Sequence, residues 1–541
     1  MKTIYHNAIV YTGTLPMVQA FIVDGGRFTF AGSNADALAQ QQPGDEIVDL
    51  GGHFVCAGFN DSHMHLLNYG QSLSIAPLNL HTTSLSDMLQ CLHRQLDSGR
   101  LRGGWLMGRG WNQDLFSDVG RMPNRYDLDT VSTDIPICAT RACGHALVLN
   151  SKGLEILGVT AATPQPAGGQ IVLEGGEPNG IFFDNAMDMV YSAIPAPGMD
   201  ELKDMIRSAC TALNGCGVTS CQSDDYCVFP NIPWQQINRA FRELESAGDL
   251  AVRVYEQCNL TSLPDLEQFI EAGNRTGEGT DLFRIGPLKM LGDGALGSRT
   301  AFLSQPYTDA PATRGLSVLA QETFDEMIGY ANAHGMQVAV HTIGDACLDM
   351  VLASIRKALA AHPRSDHRHG IVHCQITRTD QLKQLSELGL HIYAQSIFLD
   401  YDIHIVEQRV GKALSRTSYS WKTLMDTGCT VSNGTDCPVE LPNAMAGIQC
   451  AVTRSSLDGS AGPYLAEEAF TIQEAIDSYT SAGAYASFEE QIKGRIAPGM
   501  LADFVVLDED PFAAAPEHLK DIPILATYLG GQQVYTTAGN G

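Results

Sequence analysis

Residues 59–65 read Phe59-Asn60-Asp61-Ser62-His63-Met64-His65, and an apolar run, Phe54-Val55-Cys56-Ala57-Gly58, leads into them. Side chains in an extended strand repeat every second residue, so His63 and His65 project from one face. At a strand end, two neutral imidazoles on one face can grip the same metal ion. Two histidines make half a site at most, and the remaining ligands have to come from elsewhere in the chain.

Working outward, strands alternate with helices from His53 onward. Gly217 to Gln222, Leu250 to Gln257, Phe283 to Leu291, Gln337 to His341, Gly370 to His373, His391 to Gln395 and Thr430 to Gly434 read as strands. Glu201 to Leu213, Thr323 to Ala333, Ala346 to Ala361, Gln381 to Leu388 and Trp421 to Asp426 read as helices. Repeated β-then-α units mean a parallel sheet, and with the strand before His63 there are eight of them. The predicted fold class is therefore α/β, a (β/α)₈ TIM barrel. Residues 75–195 break the rhythm, being rich in Gly and Pro, and are expected to form an insertion after the first strand, large enough to be a cap. Residues 1–56 and 490–541 show short extended patterns, among them Ile4 to Tyr11, Ala20 to Val23, Ala502 to Asp508 and Ile524 to Leu529. Neither end can bury a core alone. Together they are expected to make one composite β-sandwich, with the barrel at 57–489 between them.

The 541 residues are 44% hydrophobic, which befits a large globular core, and carry a formal charge of −27. That charge argues against nucleic acid or an anionic membrane as partner, since both need basic patches. No charged-then-apolar leader opens the chain and no apolar run is long enough for a membrane span. The 14 cysteines are scattered, and Cys210, Cys216, Cys221 and Cys227 lack zinc-ribbon spacing, so reduced thiols in a cytoplasmic protein are expected. No nucleophile elbow and no dinucleotide fingerprint is present. The expected partner is a small-molecule substrate, with a homodimer as the commonest assembly.

Barrel enzymes carry their chemistry at the C-terminal ends of the strands. There the sequence has His63 and His65, then Lys289 within Arg284 to Leu291, His341, His373, and Asp436 in Asn433-Gly434-Thr435-Asp436-Cys437-Pro438. Each alone is ordinary: a strand-end His is more often hydrogen-bonded structure, an Asp near Pro is usually a turn residue, and a strand Lys can snorkel. Their joint occurrence, in barrel order, points to a metal site. A protonated Lys has donors only, but its neutral amine reacts with CO₂ to give a carbamate, a carboxylate able to bridge two cations.

These residues resemble the two-metal pattern of the amidohydrolase superfamily. Lys289 to Ala301 (KMLGDGALGSRTA), His341 to Ala346 (HTIGDA), Gly494 to Val506 (GRIAPGMLADFVV), Arg141 to Asn150 (RACGHALVLN) and Gly108 to Trp111 (GRGW) are similar to its YtcJ-type branch, which includes N-substituted formamide deformylase. The resemblance implies that His63, His65 and Asp436 hold one metal and His341 and His373 a second. A CO₂-derived carbamate on Lys289 would bridge them, and zinc is the usual ion, with one or two positions filled. It implies hydrolysis by metal-activated hydroxide of a C–N bond in a small amide, an N-acyl or N-formyl compound, with Asp436 both ligand and general base.

Other polar residues have two readings each. His145 is a substrate or oxyanion contact, or a structural His in a turn. Trp111 is a pocket wall, or core. Asp224 and Asp225 line the pocket, or are solvated loop charges. Asp293 and Arg299 are expected substrate-pocket residues, flanking a glycine-rich loop that fits a tight catalytic-face loop better than a phosphate cradle. Asp345 orients His341, or caps the following helix. Rival functions are a cyclic amide hydrolase or amidine deaminase on the same site, and a non-catalytic regulatory protein on the same scaffold.

Overall fold

Eight strands form one parallel sheet: β1 (Phe59–Met64), β2 (Val218–Ser223), β3 (Arg253–Asn259), β4 (Phe283–Leu291), β5 (Val338–Thr342), β6 (Gly370–His373), β7 (His391–Ala394) and β8 (Val431–Asn433). They are hydrogen-bonded in sequence order from β1 to β8, in a computed structural model that describes residues 2–142, 145–166 and 168–537. The register sets Asn259 opposite Lys289, Lys289 opposite Ala339, and Thr342 opposite His373. The chain after β8 returns to β1: Asp436 N–H donates to the His63 carbonyl at 2.8 Å and His65 N–H to the Cys437 carbonyl at 2.8 Å. The result is a (β/α)₈ TIM barrel. Its strands are buried along most of their length, as parallel strands covered by helices must be.

The helices follow from spacing. Gln321–Ala333 buries Phe324, Met327, Ile328 and Ala331, and Asp345–Ala361 buries Leu348, Val351, Leu352 and Ile355. Both sets repeat at three and four residues, which is one stripe of a helix.

Both termini contribute to a second pair of sheets. Phe54–Ala57 pairs antiparallel with Phe504–Leu507, joined by Ile9–Val10, Ile524–Leu529 and Gln532–Thr536. Thr3–His6, Ala20–Asp24, Arg27–Gly32 and Glu46–Asp49 form the other. Tyr5, Phe21, Phe28, Phe504 and Val506 belong to one core drawn from both sheets. The expected single strand Ile4 to Tyr11 is two strands in different sheets. Asn7 between them has φ 56°, a left-handed conformation that Asn tolerates better than most residues, and it turns the chain from one sheet to the next.

The chain divides into two compact units. Met1–Leu66, Cys210–Val228 and Phe241–Gly541 form the first, and Leu67–Ala209 with Phe229–Ala240 the second. The terminal sheets fall in one unit with the barrel, and the second unit is wider than the expected 75–195 and takes in a segment after β2. Its core is a six-stranded mixed sheet, in the order Gly169–Glu174, Glu177–Asp184, Ala146–Leu149, Ile137–Arg141, Leu106–Trp111, Ala76–Pro77. Some of the glycines that make this stretch look irregular sit at turns, such as Gly175 and Gly176, and others, such as Gly108 and Gly110, lie inside strands. Cys143 and Gly144, within RACGHALVLN, lie outside the described residues. Among the described residues no helix is long and apolar enough to cross a membrane.

Candidate metal centre

His63 and His65 leave β1 side by side, ring centroids 5.3 Å apart. The His63 Nδ1–H donates to Gln257 Oε1 at 2.7 Å, and the His65 Nδ1–H to the Asp224 carbonyl at 3.0 Å. Each ring is thereby fixed in one tautomer, with the Nε2 lone pair turned inward. The two Nε2 atoms lie 3.4 Å and 3.1 Å from the same atom, Asp436 Oδ1. His63, His373 and Asp436 each offer one ligand atom within 4.8 Å of the other two.

His341 and His373 form a second pair. The His373 Nδ1–H donates to Gln395 Oε1 at 2.7 Å, and the His341 Nε2–H to the Gly294 carbonyl at 3.3 Å. That leaves His341 Nδ1 and His373 Nε2 facing each other at 2.8 Å. With both outer nitrogens donating, the inner two present lone pairs to the same point unless one ring is an imidazolium. Burial, and behind it the charge of Lys289, pushes His341 down to about 3. Burial, and then His341, pushes His373 well below its ordinary value. His63 is lowered by burial and then by Lys289. A cation between the rings removes the repulsion without a proton, so the donor set fits a metal ion, and N/O donors of this kind suit zinc.

His65 differs. Burial works to lower it, but the hydrogen bond and charge of Asp436 outweigh that and raise it to about 9. A proton on His65 is thus the competitor of a metal at Asp436.

The ligand loop after β8 is held by a residue that no sequence motif singles out. Asp61 is buried, and its Oδ1 accepts from Thr435 N–H at 3.0 Å and His63 N–H at 3.3 Å, while its Oδ2 accepts from the Thr435 hydroxyl. Burial raises its carboxyl to about 7 despite these bonds. Gly434 makes the approach possible: a Cβ there would stand 2.5 Å from His63 N and 2.7 Å from Asp61 Oδ1. His373 (φ 74°) and Asp436 (φ 57°) both carry left-handed backbone. Such strain in non-glycine residues collects at functional sites.

Lys289 is 3% exposed, and its Nζ lies 3.2 Å from Asp224 Oδ2. Asp224 therefore serves the site twice, through its carboxylate to Lys289 and its carbonyl to His65, and is not a solvated loop charge.

Two expected pocket residues are fully buried instead. Trp111 is fully buried in the core of the second unit with Leu106, Leu128 and Val148, and its indole N–H donates to the Ala139 carbonyl at 2.9 Å. It is core, not a pocket wall. Asp293 is also fully buried, accepting from the amides of Ile343 (3.0 Å), Gly344 (2.7 Å) and Phe302 (2.8 Å). Burial raises its carboxyl to about 7. It shapes the turn after β5, 3.6 Å from His341 Nε2, and has no oxygen left to line a pocket. Arg299 is paired with Asp309 at 2.8 Å. Asp345 neither orients His341 nor caps: it accepts from Ser304 N–H and Arg378. His145 belongs to the second unit, exposed, with Nδ1 3.0 Å from Asp184, so its assignment to the reaction rests on its motif alone.

Gln257 and Gln395 escape a reading of the sequence because a glutamine suggests no chemistry by itself. The available signal is position: both stand where β3 and β7 end, on the face that carries the histidines.

The profile of the Amidohydrolase family matches residues 46–535. The chain belongs to this family. The amidohydrolase is 32% identical over 542 residues to the putative amidohydrolase YtcJ of Bacillus subtilis (strain 168), covering 99% of either chain. It is 24% identical over 536 residues to N-substituted formamide deformylase of Arthrobacter pascens, covering 96% of each. The solved structure of an uncharacterized metal-dependent hydrolase from Pyrococcus furiosus superposes with a TM-score of 0.78 at 29% identity, over 95% of this amidohydrolase and 100% of that chain.

Proposed function

We propose that this metal-dependent hydrolase of the amidohydrolase family cleaves the C–N bond of a small amide, an N-acyl or N-formyl compound. Its ligands are His63, His65 and Asp436 for one ion and His341 and His373 for a second. Zinc is the ion these residues would hold, and a CO₂-derived carbamate on Lys289 would add an anionic ligand. One observation carries the reading: five inward-facing donor atoms, four of them imidazole nitrogens whose outer nitrogens are already committed to carbonyl oxygens. The family relationship to a formamide deformylase supports the bond type.

Divalent zinc supplies Lewis acidity and brings the pKa of water towards neutrality. The chain's own residues do the rest. Asp436 Oδ1, between the Nε2 atoms of His63 and His65, takes a proton from the attacking water and returns it to the departing nitrogen. His63, His341 and His373, all lowered by burial, stay neutral and available as ligands, and a metal at Asp436 displaces the proton of His65. Lys289 stands where its charge acts on His63, His65, His341 and His373 alike. Converting that cation to a carbamate makes the same position a ligand. Every cysteine among the described residues is a free thiol, which fits the cytoplasm.

The test is metal analysis of the purified protein, then hydrolysis of N-formyl amines, N-acyl amino acids, lactams and hydantoins before and after chelation. Bound zinc and chelator-sensitive release of a free amine from an acyclic amide are expected. Turnover of the cyclic substrates alone would replace the acyclic reading, and activity that survives complete metal removal would end it. A CO₂ adduct on Lys289 is read by native mass spectrometry at bicarbonate saturation, against a Lys289→Arg variant.

A further inference from the structure

The second unit contains a cavity of about 760 Å³ that none of the chemistry above uses. Its volume falls within the range of small-molecule sites. Its apolar wall comes from Ile75, Met107, Ile194 and Phe229, and its polar wall holds two arginines, Arg102 and Arg109.

These arginines differ from those that the fold pairs with carboxylates. In a protein of net charge −27, guanidinium groups find carboxylates readily: Arg121 pairs with Asp127, Arg253 with Asp503, Arg368 with Glu490 and Arg378 with Asp345. Neither Arg102 nor Arg109 has an ion pair among the described residues. Arg102 is the more telling. Its Nε is buried with no hydrogen-bond partner, and its guanidinium lies 5.0 Å from the centroid of the Phe229 ring. A buried, unpaired guanidinium N–H is costly. The cost disappears if an anion enters the cavity and accepts from the fork, which is the geometry in which Arg binds carboxylates. Arg109 lies on the strand Leu106–Trp111, exposed between buried neighbours, and its charge and that of Arg102 both act on the same phenol, Tyr191. Tyr191 and Thr140 add hydroxyls to the wall, 3.1 Å from each other. The wall also includes Asp188, which pairs with neither arginine among the described residues and so leaves both guanidinium groups open to a ligand.

We propose that this cavity binds a small organic carboxylate with an apolar body, its carboxylate held between Arg102 and Arg109 and its body against Phe229, Met107 and Ile75. None of the metal-centre residues lines this cavity.

The test uses isothermal titration calorimetry on the full-length protein with 3-phenylpropionate as probe, and acetate and inorganic phosphate as comparison anions. Arg109→Gln changes an exposed side chain and leaves the core intact. Arg102→Gln goes deeper, and its fold is checked by thermal denaturation. Affinity for 3-phenylpropionate is expected to fall about tenfold or more in each variant, the loss of one charge-assisted hydrogen bond, and to be unchanged after chelation. Phosphate binding that exceeds that of 3-phenylpropionate would show an inorganic anion site and overturn the assignment. So would binding that is lost on chelation and unaltered in Arg109→Gln, or no binding of 3-phenylpropionate at all.

Discussion

The two ends of the barrel strands both bury ionisable groups and treat them in opposite ways. At the N-terminal end, Arg253 opens β3 and is locked to Asp503 by two bonds of 2.6 Å and 2.8 Å, with a third to the Asp281 carbonyl at 2.8 Å. Lys493 and Glu489, both almost fully buried, pair at 2.7 Å. Each of these cations has its acceptor. At the C-terminal end, His63, His65, His341 and His373 spend their outer nitrogens on carbonyl oxygens and turn the inner ones on each other and on Asp436. The first arrangement is closed and serves the fold. The second is complete only with a ligand that the chain does not encode, which is the electrostatic signature of a working site.

The comparison breaks most sharply at Asp436. Asp436→Asn keeps an oxygen ligand but loses the base, so turnover is expected to fall by about 10²- to 10⁴-fold, with bound metal retained in elemental analysis. A turnover unchanged in that variant would remove Asp436 as the base. At the opposite end, Arg253→Met strands the Asp503 carboxylate and should cost about 3–5 kcal/mol in denaturant unfolding. Metal content and kcat of the folded enzyme should stay at wild-type values, and a drop in either would show that the two ends are not separable.

Gln395→Leu tests the bond that fixes the His373 tautomer. Metal affinity should weaken by about 10- to 100-fold, measured by competition with a chromophoric chelator, while Leu at this volume leaves the fold intact. The smallest effect concerns pH. His391, at the N-terminal end of β7, is lowered to about 3 by burial and then by Arg368. Unfolded, it titrates at about 6.5. Between those values the unfolded chain binds a proton that the folded chain refuses, so stability falls as pH falls through this window. His391→Gln should flatten the acid limb of stability against pH by about one proton, roughly 1.4 kcal/mol per pH unit. The raised carboxyls of Asp61 and Asp293 act in the opposite direction, but they are common to both proteins and cancel in the difference. No change in slope would mean that His391 is protonated in the fold.

Much of the fold and of the site is legible in the sequence. Most barrel strands stand where apolar runs alternate with helical stripes, because a parallel strand covered on both faces is mostly apolar; β1 (FNDSHM) and β2 (VTSCQS) are the polar exceptions. The ligands stand where those runs end. The insertion is harder to read: Leu106–Trp111 and Ile137–Arg141 are strands of a mixed sheet whose pairings join segments far apart in the chain, and its turns mask the periodicity. Trp111 and Asp293 mislead for one reason. A Trp after Gly and an Asp between glycines both look like loop, whereas the first fills a core and the second accepts three amides.

What the sequence determined by itself is the barrel, the set of candidate ligands and their common end, since side-chain period and chain order are local properties. What tertiary structure decided is which nitrogen of each histidine faces inward and what holds it there. Gln257 reaches His63 across 194 residues, and Asp61 reaches Thr435 across 374. Contacts at that separation leave no periodicity to read, because they are made by the closing of the barrel and by nothing in the neighbouring chain.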